Sequence, residues 1–256
     1  MIDPRADIHP DACIADNVSI GPWTVIGQNV TIGESTEIGS HVVICGRTTI
    51  GKHNKVHQFA SLGDAPQDLT YNGEDTQLII GDHNVVREYV TFSRGSAKDD
   101  GITLIGDHNY FMAYSHVGHD CKVGNHVVMV NCAALSGHVV VENYANIGAY
   151  AAVHQFCHVG AYSFIGRASY VTKDVLPFVM ISGQTVSACG LNTVGLKRNG
   201  FTADEVDALR RAYKIIFRRG LTVQQAIVEL VEILPECQKI SAMIEGLKNS
   251  TRGIVR

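Results

Sequence analysis

The segment from residue 116 to residue 126, HVGHDCKVGNH, gathers three histidines, an aspartate and a cysteine whose side chains could carry chemistry. An imidazole, with an unperturbed pKa of about 6.5, can act as a general base near neutral pH. Three imidazoles held together can instead bind zinc and leave one position for water. Asp120 directly follows His119, and a carboxylate bonded to the far ring nitrogen would fix the tautomer of a base. Both chemistries remain open on these residues alone.

The elements that must position these side chains are predicted from a repeat of six residues. An aliphatic or aromatic residue recurs at every sixth position from Ile8 to Leu62 and, after two interruptions, from Ile105 to Val171. This period suits neither an α-helix nor a simple alternating strand. It indicates short strands joined by corners, with three repeats to a coil and coils stacked about 4.8 Å apart in a parallel β-helix. The glycine that often follows the apolar residue is interpreted as permitting backbone geometry that is costly for other residues.

The two interruptions are predicted to be loops ejected from the β-helix near residues 64–78 and 94–104. In the first, Asp68 and Glu74 would fall on core positions if the coil continued. Burying unpaired carboxylates there would be expensive. Long loops on a regular scaffold are usually functional or disordered, so both loops are candidate parts of a site.

The repeat fails from about Lys173, and the remaining sequence is typical of helices. Thr202 with Glu205, and Thr222 with Gln225, form capping-box signatures at the start of amphipathic segments. A third helix is expected over residues 236–248. We therefore predict a β-helix over residues 1–190 and a small α-helical domain over residues 191–256.

Coils of eighteen residues would bring several histidines together. His119, His138 and His154 belong to repeats that start at residues 117, 135 and 153, which stack on one face. Their side chains would then span about 10 Å over two coils, and His116 lies at the corner just before. Five other histidines occupy the fourth repeat position and are interpreted as isolated, solvated corner residues: His41, His53, His83, His108 and His126.

Composition and charge exclude several classes of protein. The seven cysteines are odd in number and form no CxxC pair, which predicts reduced thiols in the cytoplasm. The first ten residues do not resemble a secretory signal, and no apolar run approaches the roughly 20 residues that span a bilayer. Residues 201–256 carry a net charge of +2 and the remainder −6. We expect neither nucleic acid nor membrane insertion.

Several longer strings carry a resemblance to a known family. They are HQFASLGDAPQDLTY (57–71), SHVGHDCKVGN (115–125), LSGHVVV (135–141), AAVHQFCHVGAYSFIG (151–166), GLKRNGF (195–201) and STRGIVR (250–256). In this order they resemble the UDP-N-acetylglucosamine O-acyltransferases that begin lipid A synthesis, over essentially the whole chain. The resemblance implies a left-handed β-helix, a homotrimer with active sites between subunits, and no metal or cofactor. The implied reaction moves a 3-hydroxyacyl chain from acyl carrier protein to the 3-hydroxyl of UDP-GlcNAc.

The resemblance also implies roles for individual residues. His119 matches the general base, Asp120 its partner, and Gly137 the residue whose backbone N–H stabilises the oxyanion. Gln67 and Asp68 match the sugar-binding loop, and Asn192 and Arg198 match contacts to the nucleotide phosphates. The positions that match residues around the substrate and the acyl chain are His116, His138, His154 and Gln155. Arg167 matches the position that closes the far end of the acyl groove. Because acyl carrier protein is an acidic partner in this family, the basic helical end is expected to supply docking charge through Arg210, Arg211, Lys214, Arg218 and Arg219.

Two departures from the family pattern concern the sugar nucleotide. The family often has a lysine where this chain has Thr70, and a second arginine where it has Asn199. An alternative within the same chemistry is transfer to a 3-amino sugar nucleotide with formation of an amide. A zinc lyase of the γ-carbonic-anhydrase type and a β-helix that serves only as a scaffold are alternatives of different classes.

Overall fold

Short parallel strands stack into three flat faces along most of the chain. The structure is a computed structural model that describes residues 1–183 and 185–256. Each strand pairs with the strand one coil later, as in the series Val117, Leu135 and Val153. The predicted parallel β-helix is therefore confirmed.

Every face of the prism is one sheet of stacked strands. The first face contains Asp7–Ile8, Val25–Ile26, Val43–Ile44, Ser61–Asp64, Thr91–Ser93, His116–Val117, Ala134–Leu135, Ala152–Val153 and Tyr170–Val171. The second face contains Cys13–Ile14, Thr31–Ile32, Arg47–Ile50, Gln77–Ile80, Ile102–Ile105, Lys122–Val123, Val140–Val141 and His158–Val159. The third face contains Ser19–Ile20, Glu37–Ile38, Lys55–Val56, Val85–Val86, Tyr110–Phe111, Val128–Met129, Asn146–Ile147, Phe164–Ile165, Val179–Ser182 and Ser187–Leu191, the last two pairing antiparallel.

The apolar residues of the repeat fill the space between the three faces. Leu62, Val117, Leu135 and Val153 are fully buried. Burying such a side chain contributes about 1.5–3 kcal/mol. Most strands have only two residues, and the one apolar side chain that each of them buries forms the core of the β-helix.

The tight corners do not depend on the glycines of the repeat. The left-handed conformation falls on the fourth repeat position, as at His83 (φ 57°), Asp120 (φ 59°) and Tyr144 (φ 62°). The repeat glycines instead allow neighbouring coils to approach, since a Cβ on Gly33 would lie 2.6 Å from the carbonyl carbon of Gly51. The prediction that these glycines adopt backbone conformations that are costly for other residues is wrong.

Side chains at the fourth repeat position stack on those of the next coil. The ring centroids of His53 and His83 are 4.8 Å apart, those of His83 and His108 4.7 Å, and those of His108 and His126 4.9 Å. The stack continues through Tyr144. These histidines are exposed, as expected, but the interpretation of them as isolated residues is wrong. We call this series the histidine stack.

Both interruptions leave the coil between strands, and the strands that follow them are in register with each other. The first loop joins Ser61–Asp64 to Gln77–Ile80, and the second joins Thr91–Ser93 to Ile102–Ile105. Gln77 pairs with Arg47 on one side and with Ile102 on the other. The scaffold therefore continues as if neither loop were present.

The carboxyl-terminal residues fold into helices. They are α1 (Thr193–Arg198), α2 (Ala203–Arg218), α3 (Val223–Ile233), a 3-10 turn (Leu234–Glu236) and α4 (Ile240–Asn249). The predicted capping boxes at Thr202 and Thr222 are both present. Helix α1 and the antiparallel strand Ser187–Leu191 were not predicted. That strand runs across residue 190, where we placed the domain boundary. The boundary itself stays a prediction. In the described part of the chain, every helix is too short or too polar to cross a membrane.

Candidate active site

His119 and Asp120 form the centre of the site at the corner after the first face. The Nδ1 atom of His119 lies 2.7 Å from Oδ2 of Asp120. The Asp120 side chain is fully buried, whereas that of His119 remains 17% exposed. Because an ionised carboxylate can only accept hydrogen bonds, the neutral imidazole carries its proton on Nδ1 and keeps a lone pair on Nε2. This geometry suits a base that is held in one tautomer.

The buried carboxylate is bound by Ser96 of the second loop, and the backbone of Asp120 is bound by Thr103 of the second face. The backbone N–H of Ser96 donates to Oδ1 at 2.9 Å, and its hydroxyl donates to Oδ2 at 2.7 Å. The backbone N–H of Asp120 donates to Oγ1 of Thr103 at 2.8 Å. The two bonds from Ser96 offset the cost of burying the carboxylate charge. Sequence reasoning missed both residues: Ser96 lies in the second loop, which has no periodicity, and Thr103 lies in the strand Ile102–Ile105, which was predicted to belong to that loop.

Gly137 lies on the next coil, directly against the His119 ring. A Cβ at Gly137 would lie 2.6 Å from Cε1 and 2.7 Å from Nε2 of His119. Carbon atoms do not approach so closely, so any side chain here would push the imidazole away. The position thus requires glycine for the geometry of the base.

His138 is the second imidazole at this corner. Its Nε2 atom lies 3.6 Å from Oδ2 of Asp120, and its Nδ1 atom lies 3.4 Å from Oδ2 of Asp99. Its ring is perpendicular to that of His119 at 88° and stacks on Phe156 with centroids 4.5 Å apart. Asp99, which belongs to the second loop, is a further contact that the sequence did not reveal.

Of the other predicted histidines, His116 is near this centre and His154 lies one coil further along. Nδ1 of His116 lies 2.7 Å from Oγ1 of Thr91. Burial lowers the pKa of His116, and the nearby His119 lowers it further. Nδ1 of His154 lies 3.2 Å from the carbonyl oxygen of Gln155, whose side chain is exposed.

The same residues can be tested as a zinc site. Ligand atoms of His119, Asp120 and His138 lie within 4.8 Å of one another, so among the described residues the group offers two imidazoles and a carboxylate. The zinc alternative called for three imidazoles, but the third histidine of the column, His154, is not part of this group. Both oxygens of Asp120 already accept hydrogen bonds. The hydrogen bonds account for the arrangement and favour a base over a metal centre.

The predicted sugar-binding loop is bound to the second loop. Oδ1 of Asp68 accepts from the backbone N–H and from the hydroxyl of Thr70, both at 2.9 Å, and Oδ2 lies 2.6 Å from Nζ of Lys98. The Lys98 hydrogen bond, followed by those from Thr70, lowers the pKa of Asp68. Gln67 is exposed beside it. Arg94 donates to the Tyr71 hydroxyl from Nη2 at 2.9 Å and from Nε at 3.2 Å, so two residue pairs join the loops.

Asn192 and Arg198 line a separate cleft of about 620 Å³ beside the third face. Its walls are the start of α1 and corner side chains that include Tyr144 and Tyr162. Asn192 caps α1, with its Oδ1 atom accepting from the N–H of Gly195 at 3.0 Å. Arg198 is exposed. Within one chain these residues are on a different side of the prism from His119.

Arg167 is exposed at the corner between the third and first faces. His119 lies at a different corner, between the first and second faces, and Arg167 does not line the Asn192 cleft. One chain therefore presents the predicted site residues as three separate groups.

The repeat architecture and the histidine–carboxylate pair are those of a hexapeptide transferase, and comparisons with known proteins agree. Residues 102–137 match the family model described as bacterial transferase hexapeptide (six repeats). Residues 174–255 match the model described as UDP N-acetylglucosamine O-acyltransferase, domain 2.

Relatives and solved structures narrow this class to one family. The acyl-[acyl-carrier-protein]–UDP-N-acetylglucosamine O-acyltransferase of Pseudomonas savastanoi pv. phaseolicola is 49% identical, over 100% of this chain and 99% of the relative. LpxA from Acinetobacter baumannii is 44% identical with a TM-score of 0.98, over 100% of this chain and 99% of that one. The UDP-N-acetylglucosamine O-acyltransferase of Moraxella catarrhalis, also 44% identical, has a TM-score of 0.97 over the same shares. The chain belongs to the UDP-N-acetylglucosamine O-acyltransferase family, and its β-helix is left-handed, as the resemblance implied.

Proposed function

We propose that this protein transfers a 3-hydroxyacyl chain from acyl carrier protein to the 3-hydroxyl of UDP-GlcNAc, with His119 as the general base. The observation that carries the proposal is the contact of 2.7 Å between His119 and the buried Asp120 in a member of this family. A base needs one ring nitrogen fixed and the other available to the substrate. The exposure of His119 and the burial of Asp120 meet these two needs.

The proposed reaction follows from this arrangement. Nε2 of His119 accepts the proton of the sugar 3-hydroxyl while the hydroxyl oxygen attacks the thioester carbonyl. The backbone N–H of Gly137 donates to the oxyanion of the tetrahedral intermediate. Collapse of the intermediate breaks the carbon–sulfur bond, and the imidazolium returns its proton to the departing thiolate. The products are the sugar ester and the free thiol of acyl carrier protein, and no metal or cofactor takes part.

We assign substrate contacts to the remaining predicted residues. Gln67 and Asp68 would hold the sugar, and Asn192 and Arg198 the phosphates, for which a guanidinium is well shaped. The residues around the reacting centre and the acyl chain would be His116, His138, His154, Gln155 and Arg167. Because these groups lie on separate sides of one prism, a homotrimer in which neighbours complete each site would bring them together.

The charged face of α2 is our candidate docking surface for acyl carrier protein, an acidic partner. Three of its five predicted cations, Arg210, Arg211 and Arg219, pair with acidic residues of the same chain. Lys214 and Arg218 therefore carry most of the proposal. The Michaelis constant for the thioester should rise with salt, since exposed charges are screened beyond about 8 Å at physiological ionic strength. A constant that is unchanged by salt and by Lys214→Glu with Arg218→Glu would exclude this surface.

The function is tested by incubating the purified protein with 3-hydroxyacyl thioesters of acyl carrier protein and UDP-GlcNAc, and by measuring product masses. Parallel reactions with the 3-amino analogue distinguish an ester from an amide product. The activity should survive chelation of metal ions, which would abolish a zinc lyase. The expected location is the cytoplasm, where acyl carrier protein supplies the thioester. Failure to form an acylated sugar nucleotide from any thioester would refute the proposal.

A further inference from the structure

Ser96 is a buried residue of the second loop that touches the catalytic carboxylate through two different groups. We infer that Ser96 is a positioning residue for the reaction, which acts through Asp120 to hold His119 in its working orientation. The inference rests on the proposed function, since it assumes that His119 is the base.

The two contacts fix the plane of the carboxylate. The backbone N–H of Ser96 lies 2.9 Å from Oδ1 of Asp120 and the hydroxyl lies 2.7 Å from Oδ2. A single hydrogen bond from the loop would leave the carboxyl group free to turn about its bond to Cβ together with the His119 ring, whereas a bond from the loop to each oxygen prevents that rotation. The lone pair of Oδ2 that the hydroxyl leaves unused then points to Nδ1 of His119, at 2.7 Å.

A competing partner makes this restraint necessary. Nε2 of His138 lies only 3.6 Å from the same Oδ2 atom that binds His119. Without the Ser96 hydroxyl, a small rotation of the carboxylate would favour His138 and release His119. Ser96 thus determines which of the two neighbouring imidazoles hydrogen-bonds to Asp120.

The second loop is itself held at several points, so that Ser96 is presented rigidly. Arg94 donates from Nη1 to the carbonyl oxygen of Gly63 at 3.0 Å. Lys98 binds Asp68 of the sugar-binding loop, and Asp100 accepts from Nζ of Lys122 at 2.8 Å. Contacts on both sides of Ser96 therefore hold its backbone N–H and hydroxyl at Asp120.

The test compares Ser96→Ala with Ser169→Ala in the full-length protein. Ser169 is equally buried, but its hydroxyl is without a hydrogen-bond partner among the described residues. Ser96→Ala should lower kcat by about 10- to 100-fold, the scale of a misplaced catalytic group. The KM values of both substrates should stay within about twofold, and Ser169→Ala should match the wild type.

A double-mutant cycle with Asp120→Asn separates positioning from a merely structural role. If Ser96 acts through Asp120, adding Ser96→Ala to Asp120→Asn should cause little further loss of kcat. Losses that multiply, wild-type kinetics in Ser96→Ala, or an equal loss in Ser169→Ala would each overturn the inference. The activity of the wild type is measured first, because an inactive wild type would refute the proposed function and not the role of Ser96.

Discussion

Two sets of histidines share one coiled backbone but have opposite surroundings. His119 and His138 meet edge to face, with ring planes at 88°, and both approach Asp120. In the histidine stack, His83 and His108 lie face to face, with planes only 2° apart, and are exposed. Carboxylates and a buried serine surround the first set, whereas the second set mainly contacts other rings.

The position within the repeat separates His119 from the histidine stack, whereas His138, with φ 61°, shares the fourth position with His83. His83 follows the core residue Ile80 by three positions and takes the left-handed corner conformation with φ 57°. His119 follows Val117 by only two, and Asp120 takes the left-handed position instead, with φ 59°. A histidine one position earlier therefore leaves the stack and lies against Gly137 of the next coil, while Asp120 keeps the corner conformation of the repeat.

The largest effect is expected when the same substitution is made in each set. General-base catalysis contributes roughly 10²–10⁴ in rate, so His119→Ala should lose at least 10²-fold in kcat. His83→Ala, which removes an exposed ring from the stack, should stay within about twofold, because a surface substitution rarely disturbs a fold. Steady-state kinetics on both variants, with melting temperatures as a folding check, make the comparison. A folded His119→Ala protein with normal activity would end the assignment of the base.

A second comparison separates an active-site glycine from a scaffold glycine. Gly137→Ala should cost about 10- to 100-fold in kcat, because its Cβ would displace the His119 ring. Gly33→Ala should mainly lower stability, since its Cβ would meet the backbone of Gly51 at 2.6 Å. Thermal unfolding and kinetics of both variants are the measurements. Normal kcat in Gly137→Ala would mean that the ring has room that the structure does not show.

An intermediate effect is expected at Arg167, which we propose ends the acyl groove. Each methylene that finds apolar surface gains about 0.8 kcal/mol, or about fourfold in kcat/KM. Arg167→Gly should therefore extend the accepted chain by several carbons, while the best wild-type substrate changes little. The arginine stem can also line a groove with its head in water, which would soften the limit. If wild type and Arg167→Gly rank a series of thioesters of different acyl length in the same order by kcat/KM, Arg167 does not limit the chain length.

The smallest effect is expected for a histidine–carboxylate pair outside the site. Nε2 of His158 lies 2.7 Å from Glu142, as close as His119 is to Asp120. This hydrogen bond raises the pKa of His158 and lowers that of Glu142. The side chains are 45% and 39% exposed, so solvent screening limits the stabilisation to about 1 kcal/mol at most.

The sign of the pH dependence follows from these two shifts. The raised pKa of His158 stabilises the fold fully below about pH 6.5, and this contribution is lost as the pH rises through the folded-state value. The lowered pKa of Glu142 stabilises above about pH 4.5, and this contribution is lost as the pH falls. The difference in free energy of unfolding between wild type and His158→Ala should thus be largest near pH 5–6. A difference that grows from pH 6 to pH 9 would contradict this.

The sequence predicted the features that are encoded locally. One core residue in six predicts the coils around Val117 and Val153, and the threonine caps predict α2 and α3. The histidine stack was missed because period alone does not show that His83 and His108 turn their faces to each other. Ser96 and Asp99 were missed for a different reason: a loop without periodicity reaches Asp120 and His138 only through tertiary contacts, which residue spacing does not contain.

The register of the strands around the two loops has a consequence for how such enzymes diversify. Arg47, Gln77 and Ile102 occupy equivalent rungs although chain segments of different length separate them. Doubling the length of a flexible loop costs only about 0.6 kcal/mol in closure entropy. Both loops can therefore be replaced together by longer or shorter ones, provided that the Lys98–Asp68 and Ser96–Asp120 hydrogen bonds are retained. Under the proposed role of Asp68 in sugar binding, insertions and deletions in these loops would change the acceptor specificity while the stacked coils stay the same.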